Sequence, residues 1–156
     1  MTNEQIMDLG IREARRTMAM NIGGPFGAVI VKDGQVIAIS SNHVLANNDP
    51  TAHAEIMAIR QACQKLNTFD LSGCELYATG FPCPMCLGAI IWANIKKVYV
   101  SGMPVDCEKI GFRDEFIYNY IQDRLVDESV LKIEKLSNEP AKMLYSEYAM
   151  MQKQIY

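Results

Sequence analysis

Two histidines are all that this 156-residue chain carries, and it has a single tryptophan and a formal net charge of only −3. The scarce charge of one sign argues against a broad basic footprint for a phosphate backbone, so nucleic acid is not the expected partner. Arg12, Arg15 and Arg16 do cluster on one expected helix, where a solvated helix face is the simpler reading. No run of about 18 apolar residues occurs, so no membrane span is expected. Met1-Thr2-Asn3-Glu4-Gln5 is polar and acidic, unlike the basic, then apolar start of a secretory signal. Internal repeats, low-complexity runs and linkers are missing as well. The five cysteines are an odd number, which suits reduced thiols and metal binding better than a disulfide framework. A cytoplasmic protein is the expectation.

What is present reads as one α/β domain over 1–156. Ile6, Leu9, Ala14 and Met18 recur at near-helical spacing across 3–20, with Thr2 or Asn3 as cap. Gly23-Gly24-Pro25 breaks that pattern. An apolar, β-branched run from Phe26 to Lys32, the turn pair Asp33-Gly34 and a second run from Gln35 to Ser41 predict a hairpin. Asn42 to Ala52 is polar and reads as loop. A helix is expected over 52–66, with Ile56, Ile59, Ala62, Cys63 and Leu66 on one face. Next come a strand at 74–79, a short helix at 85–93 and a strand at 97–101. Helical pieces follow near 106–110 and 114–123, then a last strand at 130–134 and a last helix at 140–153. This order predicts a three-layer α-β-α sandwich on a mixed five-stranded sheet, antiparallel in the hairpin and parallel where helices join the strands.

The chemistry concentrates in His53-Ala54-Glu55 and Pro82-Cys83-Pro84-Met85-Cys86. One imidazole and two thiolates make three ligands, and a catalytic zinc wants three, leaving a fourth tetrahedral position for water. His53 and the Cys83/Cys86 pair fall where loops become helices, and a helix N-terminus favours thiolates. A structural zinc would need a fourth protein ligand. No second C-x-x-C exists; Cys63 and Cys74 lie in core-like patterns, Cys107 is a possible competitor, and His43 is the other histidine. A redox motif or a non-catalytic zinc-binding scaffold is the alternative. Glu55, two residues from a ligand, is either an exposed helix residue or the acid/base group that takes the water's proton and passes it to the substrate. H-x-E followed by P-C-x-x-C is the pattern of zinc-dependent nucleobase deaminases.

On these motifs the chain resembles the cytidine deaminase superfamily, and over nearly its whole length it is most similar to the bacterial guanine deaminase branch. The residues that carry the resemblance are Gly23-Gly24-Pro25-Phe26-Gly27-Ala28-Val29-Ile30-Val31, Asn48 to Glu55, Pro82 to Ile90, Gly111-Phe112-Arg113-Asp114-Glu115-Phe116-Ile117-Tyr118 and Tyr156. The second and third stretches are shared with tRNA adenosine and cytosine deaminases, and fix the superfamily only. The resemblance implies deamination of free guanine to xanthine and ammonia, with tRNA adenosine, cytosine or another small aminopurine or triazine as alternatives. It implies that Asn42 hydrogen-bonds the purine edge, that the Ala54 N–H contacts the base beside the metal, and that Phe26 stacks on the ring. Asp114 would assist proton transfer at the departing amine, and Tyr156 would close the pocket. Simpler roles exist for each: Asn42 ends a strand, Phe26 sits in the core, Asp114 caps a helix and Tyr156 is a chain end. A homodimer, with exchange of the segment from about residue 102, is implied too. One departure stands out. Relatives usually carry Glu before Pro-Cys, whereas this chain has Phe81, which removes a carboxylate beside the thiolate loop and bears on the preferred base.

Overall fold

A computed structural model describes all 156 residues. The chain divides into two compact units, Met1–Glu115 and Phe116–Tyr156. In the first, helix α1 (Asn3–Ala19) opens with a capping box in which the Thr2 hydroxyl accepts the Gln5 N–H and the Gln5 side chain accepts the Thr2 N–H. Strands β1 (Gly27–Lys32) and β2 (Gln35–Ser41) form the hairpin. Its turn holds Asp33 and Gly34 at φ +48° and +75°, the left-handed pair that a two-residue turn of this hand demands. After a short helix α2 (Val44–Asn47) come α3 (Ala54–Leu66), β3 (Cys74–Gly80), α4 (Pro84–Trp92), β4 (Lys97–Gly102) and α5 (Pro104–Lys109). The 42–52 loop is therefore interrupted by one helical turn.

The sheet order is β2-β1-β3-β4. β1 is antiparallel to both neighbours, and β3 is parallel to β4. Side chains of β1 alternate between two cores. Ala28 and Ile30 join Ala54, Ala58, Ala62 and Ile90 from α3 and α4 on one face, while Val29 and Val31 meet Ile6 of α1 on the other. The expected three layers are present.

The sheet has four strands, not the five expected. Residues 131–134 alternate apolar and polar, but the whole 130–134 segment is outside the sheet and exposed throughout. An extended segment becomes a strand only by pairing. The buried stripes also differ from expectation. α1 buries Ile6, Gly10, Ala14 and Thr17 and turns Met18 out; α3 buries Ala54, Ala58 and Ala62 and leaves Ile56 and Ile59 half-buried. Both helices lie close to the sheet, where small side chains fit best.

The second unit holds α6 (Glu115–Gln122), which begins one residue before the boundary, and α7 (Glu139–Met150). Tyr120 is its one buried residue, with its hydroxyl donating to the Leu131 carbonyl at 3.1 Å. No helix is long and apolar enough to cross a membrane.

Candidate metal and active site

His53 is the N-cap of α3 and Cys83 the N-cap of α4. Both helices thus point their positive ends at one spot. The imidazole of His53 makes no capping bond, which leaves it available as a ligand. Pro84 occupies the first helical position, where its missing N–H costs nothing. Cys83 Sγ accepts the Cys86 N–H at 3.5 Å, which draws Cys86 back over the first turn.

The three ligand atoms lie within 4.8 Å of one another, and His53 Nδ1 stands 3.6 Å from each sulfur. A tetrahedral ion with bonds of about 2.3 Å to sulfur and about 2.0–2.1 Å to nitrogen would hold N and S about 3.6 Å apart, so the spacing fits zinc. The electrostatics call for a cation as well. Cys83 is pulled well below an ordinary thiol because it accepts from Cys86 and from His53. Cys86 is pushed up by the same shared proton, by burial and by Glu55. A cation between the two sulfurs would let both ionise. His53 is raised by its contact with Cys83.

Glu55 is buried, 8% exposed, in the first turn of α3, and Cys86 Sγ donates to its Oε2 at 3.4 Å. Burial raises its pKa. A carboxyl held dry beside three metal ligands is suited to carry protons. It is not the exposed helix residue of the simpler reading.

The remaining candidates fall as follows. Ala54 is buried and opens α3, with its N–H in the uncapped first turn. Asn42 is buried at the end of β2, and its N–H donates to the Phe26 carbonyl at 2.9 Å. Phe26 packs edge-on against Phe112, ring centroids 5.0 Å apart. A side chain at Gly80, three residues before Cys83, would press on Phe26 and on Cys107 Sγ, so this wall adjoins the thiolate loop. Asp114 is partly buried and close enough to His53 and Cys83 to sense their charge; its pKa is raised by burial and then by Cys83. Tyr156 belongs to the second unit and is largely exposed. Phe81 is partly exposed beside the loop.

Of the cysteines, Cys74 is in the core and Cys63 packs against it, while Cys107 stays outside the ligand cluster but feels both Asp114 and Glu55. His43 is engaged elsewhere, with Nδ1 2.7 Å from the Ser41 carbonyl oxygen. Phe112, Gly23 and Gly24 were not expected as site residues, and Cys107 was weighed only as a competing ligand. Phe112, Gly23 and Gly24 lie in motif stretches, but nothing in their residue type announces a role.

Residues 1–102 match the family model for the zinc-binding region of cytidine and deoxycytidylate deaminases. The chain belongs to this deaminase family. Guanine deaminase from Bacillus subtilis is 49% identical over 121 residues, 78% of each chain. A tRNA-specific adenosine deaminase from Aquifex aeolicus is 45% identical over 103 residues, 66% of this chain and 68% of its own. The X-ray structure of the Bacillus subtilis guanine deaminase superposes with a TM-score of 0.94 at 40% identity, covering 100% of this chain and 99% of that one. The lower identity refers to the whole chain and not to 121 residues. As a member of this family the chain is a zinc-dependent aminohydrolase, and the H-x-E and P-C-x-x-C motifs converge as such a deaminase requires.

Proposed function

We propose that the chain hydrolyses the 2-amino group of free guanine, giving xanthine and ammonia. One observation carries the choice of base. The structural match to the Bacillus subtilis guanine deaminase covers 100% of this chain, whereas the structural match to a tRNA:A34 deaminase covers 65%. The residues beyond the shared catalytic half therefore follow the guanine branch.

His53, Cys83 and Cys86 would hold a zinc ion, which would supply the Lewis acid that lowers the pKa of water toward about 7. Glu55 carries one proton of the attacking water to the ring nitrogen, where it stays, and then the second, from the hydroxyl added at C2, to the departing amine, which leaves as ammonia. Burial suits it to both roles, because a raised pKa lets it hold a proton that an exposed glutamate would lose. Asp114, also raised, assists at the leaving group. Asn42 and the Ala54 N–H bind the base edge, Phe26 stacks on its face with Phe112 bracing it, and Tyr156 closes the pocket. A free base needs no extraction from a stack, so no basic groove is needed. Arg12 and Arg16 are in any case paired with Asp8 and Glu13 of their own helix.

The working unit in this reading is a homodimer with an exchanged C-terminal segment. Ile91, Trp92, Met103, Val105 and Ile110 expose large apolar surfaces in a single copy. Five free thiols suit a cytoplasmic setting.

The test is ammonia release from guanine, adenine, cytosine, ammeline and tRNA by zinc-loaded protein. Guanine should be the best substrate. Release from tRNA alone would overturn the assignment, and release from nothing would favour a zinc-binding scaffold.

A further inference from the structure

The side chain of Asn42 has its hydrogen-bonding polarity decided by the backbone around it. Its Oδ1 accepts two N–H groups, from Gly24 at 3.2 Å and from Val44 at 3.1 Å. Both neighbours are obligate donors. An amide turned through 180° would set its NH2 against two N–H groups, so only one orientation is chemically allowed. Oδ1 is thus consumed, and Nδ2, which makes no hydrogen bond within the protein, is the polar group left over. It is not sealed in, since no buried polar side-chain atom of the molecule lacks a partner.

Gly23 makes this possible. A Cβ there would collide with the carbonyl oxygen and the Oδ1 of Asn42. Only glycine lets the 23–24 turn lie flat on that residue and bring the Gly24 N–H to its amide. The same turn reaches the aromatic wall, because a Cβ at Gly24 would sit 3.1 Å from the Phe112 ring.

We infer that the Gly23-Gly24 turn is a positioning element for base selection: it fixes Asn42 as a pure donor, so the site prefers a 6-oxo purine to a 6-aminopurine. The inference rests on the purine-base reading above and deepens it. A 6-oxo purine offers acceptors at O6 and N7 to the two Nδ2 hydrogens. A 6-amino group turns a donor against a donor that cannot rotate away, and a site built around one hydrogen-bonding pattern rejects the opposite one. Gly23 touches no substrate in this scheme; it acts through Asn42.

The experiment is calorimetric binding of hypoxanthine and adenine to zinc-loaded wild type, Asn42→Asp and Gly23→Ala, with zinc content measured alongside. Wild type should prefer hypoxanthine by roughly 10- to 100-fold. In Asn42→Asp one carboxylate oxygen still accepts the Gly24 and Val44 N–H groups, while the other offers an acceptor to the base. Its preference should fall to parity or reverse. Gly23→Ala should lose the preference while keeping one zinc per chain, a change of ratio that loss of stability alone does not produce. If Gly23→Ala does not fold, Asn42→Asp decides. An Asn42→Asp protein that keeps the wild-type preference overturns the inference, as does a folded Gly23→Ala with an unchanged ratio. Wild type that releases no ammonia from guanine sinks the guanine reading first, and this outcome is separate from a wild type that deaminates guanine but binds both purines equally.

Discussion

At the scale of single residues, chemistry restricts the choice most tightly at the three ligand positions and at Glu55 beside them. Imidazole and thiolate at His53, Cys83 and Cys86 have few other uses together, and their spacing fits zinc. Glu55 was legible for the same reason, by its distance from a ligand. Glu55→Gln should keep zinc in full and lower turnover by about 10²- to 10⁴-fold, measured as zinc per chain and as kcat. A second expectation concerns stability. Burial raises the folded pKa of Glu55 above its unfolded value. The native state therefore binds the extra proton, and the stability linked to Glu55 is complete below the unfolded pKa of about 4.5. It is lost as pH rises through the folded pKa. Glutamine has no such titration. Metal-free Glu55→Gln should therefore melt above metal-free wild type at pH 8, with the gap closing toward pH 4; thermal unfolding after chelation reads this directly. A gap that does not change with pH would mean that Glu55 is not held dry. Gly23 and Phe112 were illegible because their roles are steric. A glycine's importance lies in what a Cβ would strike, and that neighbour, Asn42, is 19 residues away in the sequence.

Elements were read well where pattern and punctuation agree. The hairpin matched because Asp33-Gly34 fixes the turn and its first pairs, Lys32↔Gln35 and Val31↔Val36, before the register shifts by one residue at Ile37. The strand expected at 130–134 failed because alternation describes a face, while a strand also needs an edge to pair with. Likewise Ile56 and Ile59 looked like the core face of α3, but the alanines bury better where a helix lies close on a sheet. The same closeness governs α1. A Cβ on Gly27 would collide with the Gly10 carbonyl, backbone against backbone, with no flexible side chain to give way. Gly27→Ala should thus cost about 2 kcal/mol or more, read from the denaturant midpoint. It should also disturb the Gly27 N–H bond to Thr79 Oγ1, 2.9 Å long, which ties the start of β1 to the end of β3. A midpoint within about 0.5 kcal/mol of wild type would show that α1 can move away from β1 at little cost.

The molecule as a whole poses a problem that neither motif nor periodicity addresses. Residues 116–156 form a unit of their own with Tyr120 alone buried, and Ile133, Leu136, Met143, Leu144 and Ile155 are exposed. A piece of this size without a core does not stand alone in water. Burial of this surface in an assembly would leave no mark in the composition of one chain. If assembly supplies the cover, light scattering should give twice the 17.5 kDa chain mass. A monomer at micromolar concentration would remove the dimer from the proposal. The role assigned to Tyr156 then yields a separable expectation. Deleting Gln152–Tyr156 removes no buried residue, so the melting temperature and the zinc content should hold. kcat/KM for guanine should fall if the tail closes the pocket, and the fall should be larger than any change in assembly. Truncation after Glu115 should do more, because it also strips the helices that carry the exposed apolar surface. Unchanged turnover in the short deletion would take Tyr156 out of the site and leave selection of the base to Asn42, Phe26 and Asp114.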